Sequence, residues 1–156
     1  PVRYAHEVLR FHELDQRVNA GNSIGWLGVT AAVLRFRQPW SDALGLTLCL
    51  ASVVTLLQLW RKRPAPPQHL LFGASVPLVL LVQPHAMYYD AGLLLLSLAA
   101  LAEHAGPRAL VALAVLSLLA ASVLASDAWV VSPVFLVVVG SAVLLLRATR
   151  ELDHAA

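Results

Sequence analysis

The chain reads as an all-α, multi-pass transmembrane helical bundle of about five spans, preceded by an N-terminal helical segment on the outer face. Three observations predict this class. Of the 156 residues, 59% are hydrophobic and only 13% are charged, about half the charged share of a soluble domain. Between Ala43 and Leu146 the charged residues are Arg61, Lys62, Arg63, Asp90, Glu103, Arg108 and Asp127 alone. The runs between them carry almost no polar face, whereas a helix of a soluble protein normally has one.

Five apolar runs supply the spans: Ala43–Trp60, His69–Gln83, Ala91–Ala102, Ala109–Ser126 and Ala128–Leu146. A bilayer core about 30 Å thick takes roughly 20 apolar helical residues. The second and third runs reach that length only if the segment from Pro84 to Asp90 sits at or near membrane depth. The expected organisation is residues 1–42 as an outer-face helical or re-entrant segment, 43–147 as the transmembrane domain and 148–156 as a cytoplasmic tail.

Residues 1–20 read as an amphipathic helix, because Tyr4, Val8, Phe11, Leu14 and Val18 recur at spacings of three and four. His6, Glu7, His12 and Glu13 fall on its charged side as solvated residues. Ala20–Gly21–Asn22–Ser23 breaks the pattern, and Asn22 or Ser23 is placed to cap a second helix, Ile24 to Phe36. At that length the second helix is too short to span and suits an interfacial or re-entrant piece. Trp26, Trp40, Trp60 and Trp129 suit membrane boundaries.

Arg61–Lys62–Arg63 follow the first span, and Pro64, Pro66 and Pro67 stop the helix. By the positive-inside rule this loop is cytoplasmic. Alternation then puts Arg108, Arg147 and Arg150 inside, and the loops near Pro84 and Asp127 outside. The five Arg of residues 1–42 run against the rule, which longer segments obey poorly. With the basic residues gathered at span ends, a pI near 9.2 is no sign of nucleic-acid binding. The single cysteine, Cys49, lies within a span, suits a small core residue, and belongs to no metal-ligand spacing. The chain begins at Pro1 without methionine or a signal-peptide pattern, so it reads as a processed piece or fragment.

The segment Gln83–Pro84–His85–Ala86–Met87–Tyr88–Tyr89–Asp90 interrupts the apolar run with a histidine and a carboxylate. An acid at mid-helix costs about 2.5–3.5 kcal/mol on insertion scales, and such residues usually face a cavity. If the third span starts at His85 or Ala86, its first turns present His85, Tyr88, Tyr89 and Asp90 near the outer surface, where a helix N-terminus also favours anions. The plain alternative is an interfacial tyrosine belt with Asp90 as a helix-start residue. A metal held by His85 and Asp90 is weakly supported, since a spacing of five does not share one helix face.

The stretch "SVPLVLLVQPHAMYYDAGLLLLSLAAL" resembles the Pro-His…Tyr-Asp segment of bacterial polyprenol-phosphate-dependent mannosyltransferases, the GT87 group of glycosyltransferases with the GT-C fold. "NAGNSIGWLGVTAAVLRF" resembles the Asn-x-Ser segment of the same family, and the order of segments agrees over most of residues 19–102. At Gln83 the family usually has a small residue. The resemblance implies a multi-pass membrane enzyme of the bacterial plasma membrane with its active site on the outer face. Such an enzyme moves a sugar, mannose in this family, from a polyprenyl-phosphate donor to a hydroxyl of a glycan or glycolipid acceptor, with inversion. The usual base lies in a first outer loop, which places it upstream of Pro1 and makes this chain the C-terminal part.

On that reading Asp90 is the candidate catalytic residue, binding sugar or acceptor hydroxyls or supporting the base. His85, Tyr88, Tyr89, Asn22 and Ser23 are the candidate substrate-binding residues. No cofactor, metal ligand or nucleic-acid partner is assigned; the partners are membrane lipid, the lipid-linked sugar and the acceptor. Two other classes compete: a transporter or channel subunit using His85 and Asp90 as a relay, and a scaffold without chemistry. The absence of an inverted repeat and of mid-bilayer polar residues favours the enzyme.

Overall fold

The computed structural model describes residues 22–35, 39–104, 111 and 131–155. The expected helix over 1–20 and, Val111 apart, the expected span Ala109–Ser126 lie outside the described residues, as does Trp129. Among the described residues the fold is helical and contains no strand. The elements are α1 (Trp26–Val33), α2 (Trp40–Arg61), α3 (Gln68–Val82), a 3-10 helix (Tyr88–Leu93), α4 (Leu94–His104) and α5 (Pro133–Ala155).

α2 and the Pro133–Glu151 part of α5 are long and apolar enough to cross a membrane. The 22 residues of α2 reach about 33 Å at 1.5 Å per residue. α2 matches the first apolar run, and Arg61 ends it one residue before Lys62 turns extended ahead of the prolines. α3, at 15 residues, is shorter than a span and begins directly after Pro67. α5 starts at Pro133, where a missing backbone N–H costs a helix nothing. It continues through Arg147 into the segment read as a tail.

Side chains at the helix termini show which ends lie together. The Lys62 ammonium donates to the Thr149 carbonyl, joining the C-terminal ends of α2 and α5. His69 at the start of α3 lies 3.4 Å from Glu103 at the end of α4. At the opposite end, the turn between α3 and the 3-10 helix meets the residues that enter α1. α3 and α4 therefore have a basic end and a second end at residues 22–25 and 83–90, which is level with Cys49 and Ser52 midway along α2. Leu70, Ala74, Leu80, Leu81, Leu101, Val138 and Leu145 fill the core between them.

α3 and α4 approach closely at small residues. A Cβ on Gly73 would lie 2.6 Å from the Ala100 Cβ, well inside contact distance. Four residues after Gly73 stands Pro77, inside α3 and buried. Proline has no N–H to give the carbonyl four residues back, so the Gly73 carbonyl loses its helical donor. The buried Ser97 hydroxyl on α4 donates to that carbonyl at 2.8 Å. Breaks in a helix are tolerated within a bundle when a neighbour re-satisfies the freed group in this way. Ser97→Ala should lower stability by about 1–3 kcal/mol, the cost of an orphaned buried carbonyl. Adding Pro77→Ala restores the N–H and should remove most of that loss; thermal unfolding in detergent checks both.

Two expectations about the start of the described region are corrected. The helix expected over Ile24–Phe36 covers only Trp26–Val33, because Gly25 rather than Asn22 or Ser23 stands at its N-cap and no side chain caps it. It ends where Arg35 takes a left-handed backbone with φ 50°. Trp26, expected at a membrane boundary, is partly buried: its Nε1–H donates to Ser52 Oγ at 2.9 Å and its ring meets Phe135 edge-on at 5.2 Å. Trp26 thereby fastens α1 to both α2 and α5. Trp40 and Trp60 are exposed.

Candidate functional site

The segment expected to open the third span as a regular helix does not do so. Gln83 caps the end of α3, Pro84 and His85 form a turn, and Met87 is extended. Helix resumes only at Tyr88, as a six-residue 3-10 turn, and becomes α at Leu94. Proline at 84 ends the ladder and frees the chain to turn. Asp90 then rebuilds it: its Oδ2 accepts the Met87 N–H at 2.8 Å, and its own N–H donates to the Met87 carbonyl at 2.9 Å. A short acidic side chain bonding back to a backbone N–H is how such turns are held at a helix start. Asp90 is thus half-buried and has one oxygen in the backbone of its own turn. This is the helix-start role the plain alternative gave it, and a role in chemistry would have to coexist with it.

The turn is met from the other side by the Asn-Ser segment. Ser23 and Met87 form an isolated antiparallel bridge, and the Ile24 N–H donates to the Ala86 carbonyl at 3.0 Å. Two segments more than sixty residues apart thereby share one backbone surface. Glycines make the approach possible. A Cβ on Gly25 would collide with the Gln83 carbonyl oxygen, and a Cβ on Gly28 with Ser23 Cβ and Oγ. Ile24 and Ala86, at the contact, are fully buried.

Each expected site residue now has a place. Asn22 and His85 are exposed on the two segments. Ser23 is 4% exposed, and its hydroxyl is buried without a hydrogen-bond partner among the described residues. It therefore caps no helix, contrary to the alternative reading of Asn22 and Ser23. Tyr88 and Tyr89 form the first turn of the 3-10 helix. Among the described residues no three His, Cys, Asp or Glu side chains gather as a metal site.

The sequence reading passed over Ala86, which accepts from Ile24, Gly25, which admits the Gln83 carbonyl, and Gly28, which seats Ser23 against α1. Paired glycines either side of Trp26–Leu27 were the available hint, since an isolated glycine in a helical pattern often marks close backbone approach. Compared with models of protein families, with curated proteins and with solved structures, the chain matches none.

Proposed function

We propose that the chain is the C-terminal part of a multi-pass membrane glycosyltransferase of GT-C type, set in the bacterial plasma membrane with residues 22–25 and 83–90 on the outer face. It moves a sugar, mannose by resemblance, from a polyprenyl-phosphate donor to a hydroxyl of a glycan or glycolipid. The observation that carries this reading is the backbone pairing of Ser23–Ile24 with Ala86–Met87. The two segments that resemble the transferase family meet each other through main-chain groups.

The apolar exteriors support the membrane setting. On α2, Leu46 is 59% and Leu50 64% exposed, and on the 3-10 helix and α4 Leu93, Leu95 and Leu96 are exposed as well. Continuous apolar surface of this kind marks contact with lipid or a partner rather than water. On the paired segments Asn22 and His85 carry groups able to bind sugar or phosphate oxygens, and Asp90 carries a carboxylate three residues from the Ser23–Met87 bridge. A lipid donor must be met where its headgroup can reach, and the α2 residues level with the paired segments are Cys49 and Ser52, midway along that helix, so on this reading the pocket is recessed below the outer end of α2.

Membranes containing the protein, given radiolabelled polyprenyl-phosphate mannose and an extract of envelope glycolipids, should move label into the acceptor fraction faster than membranes without it. Label that stays on the donor would contradict sugar transfer.

A further inference from the structure

We propose that the end of the bundle opposite the paired segments is a docking surface for anionic phospholipid headgroups. Arg61 and Arg63 are exposed on either side of Lys62, and Arg147 and Arg150 are exposed one turn apart on α5. The bond from Lys62 to the Thr149 carbonyl brings the end of α2 and the loop after it against α5, so these five basic residues form one patch. The acidic residues of the described elements at this end are Glu103, which lies 3.4 Å from His69, and Glu151 and Asp153 of α5, three against the five basic residues. Positive charge therefore dominates.

The neighbours of the patch fit a headgroup rather than a free anion. Trp60, next to Arg61, is 45% exposed and meets the 57%-exposed Phe72 edge-on at 5.5 Å. Its Nε1–H donates to Ser75 Oγ at 3.0 Å. An aromatic pair with a polar handle at the rim of an apolar surface occupies the depth of the lipid carbonyls and headgroups. Guanidinium forks match phosphate oxygens better than ammonium groups do. A lipid with its tails along α2 and α3 would thus bring its phosphate to Arg61 and Arg63, within reach of the Arg147 and Arg150 side. A soluble phosphate would use the arginines and leave the aromatic pair idle.

The inference rests on the membrane reading, and the test separates the two. The full chain is reconstituted in phosphatidylcholine vesicles containing spin-labelled phosphatidylglycerol or spin-labelled phosphatidylcholine, and the protein-bound lipid fraction is measured by electron paramagnetic resonance. A chain washed off the vesicles by alkaline carbonate would defeat the membrane reading itself. For an inserted chain, phosphatidylglycerol should associate about threefold to tenfold more strongly than phosphatidylcholine, as expected when several basic residues act at an anionic surface. Replacing all four arginines by glutamine should bring the ratio close to one. If that variant does not insert, Arg61→Gln/Arg63→Gln and Arg147→Gln/Arg150→Gln should each lower the ratio. Equal association of the two lipids with the unaltered chain would overturn the inference, as would a ratio that survives the glutamine substitutions. Excess inorganic phosphate that abolishes the preference at constant ionic strength would assign the patch to free phosphate instead, and would overturn it too.

Discussion

Gly28→Ala should lower stability by about 1–3 kcal/mol, the usual cost of forcing an extra methyl into a packed site. The new Cβ collides with both the Oγ and the Cβ of Ser23, and Ser23 is held by its bridge to Met87. Helix α1 and the Asn22–Ile24 segment cannot both keep their positions. The collision also makes a sharp prediction about rescue. Ser23→Gly removes both colliding atoms and should restore most of the stability lost to Gly28→Ala. Ser23→Ala removes the hydroxyl but keeps Cβ, and should rescue poorly. On its own Ser23→Gly should be nearly neutral, since losing an unpartnered buried hydroxyl offsets the backbone entropy that glycine adds, each of order 1 kcal/mol. Thermal unfolding of the four variants in detergent, read as a double-mutant cycle, tests the contact. Equal rescue by alanine and glycine would show that the collision is not at Cβ.

The second large effect is expected at Asp90, where two substitutions separate structure from chemistry. Asp90→Ala leaves the Met87 N–H without its acceptor and should loosen the turn that meets Ser23. Asp90→Asn retains a side-chain oxygen able to accept from Met87 and removes the charge. If the carboxylate binds hydroxyls or supports the base, Asp90→Asn should lower sugar transfer about 100-fold or more while the protein still inserts and unfolds near the normal temperature. Full activity in Asp90→Asn together with loss in Asp90→Ala would reduce Asp90 to the closing acceptor of its turn.

Features visible in the sequence were local ones. The apolar run Ala43–Trp60 and the proline stop after Arg63 each act on their own stretch of chain, and α2 follows them closely, whereas α5 begins at Pro133, inside the run expected from Ala128. The run over Ala91–Ala102 was legible as helix, but not its 3-10 opening. That opening depends on whether the Asp90 side chain turns back to Met87 or out toward solvent, which composition does not decide.

Distant pairings were less legible. The hydroxyl of Ser97 answers a gap left by Pro77 on another helix, and Trp26 finds Ser52 and Phe135 instead of a lipid boundary. For the candidate site, residue types drew notice to Asn22, Ser23, His85 and Asp90. Nothing local marks that the Ser23 segment and the Asp90 segment pair, because their contact is made by main-chain groups that every residue carries.

That pairing is the centre of the account, and the amide proton of Ile24 reports it directly. Ile24 precedes the N-cap of α1, so its N–H has no acceptor within the helix; it donates to the Ala86 carbonyl at 3.0 Å. Residue-resolved hydrogen exchange should find this amide strongly protected in the unaltered chain. In Gly25→Ala, whose new Cβ collides with the Gln83 carbonyl, protection should fall sharply while amides in the middle of α2 keep theirs. An Ile24 amide that exchanges freely in the unaltered chain would contradict the joining of the two segments, and with it the site built on them.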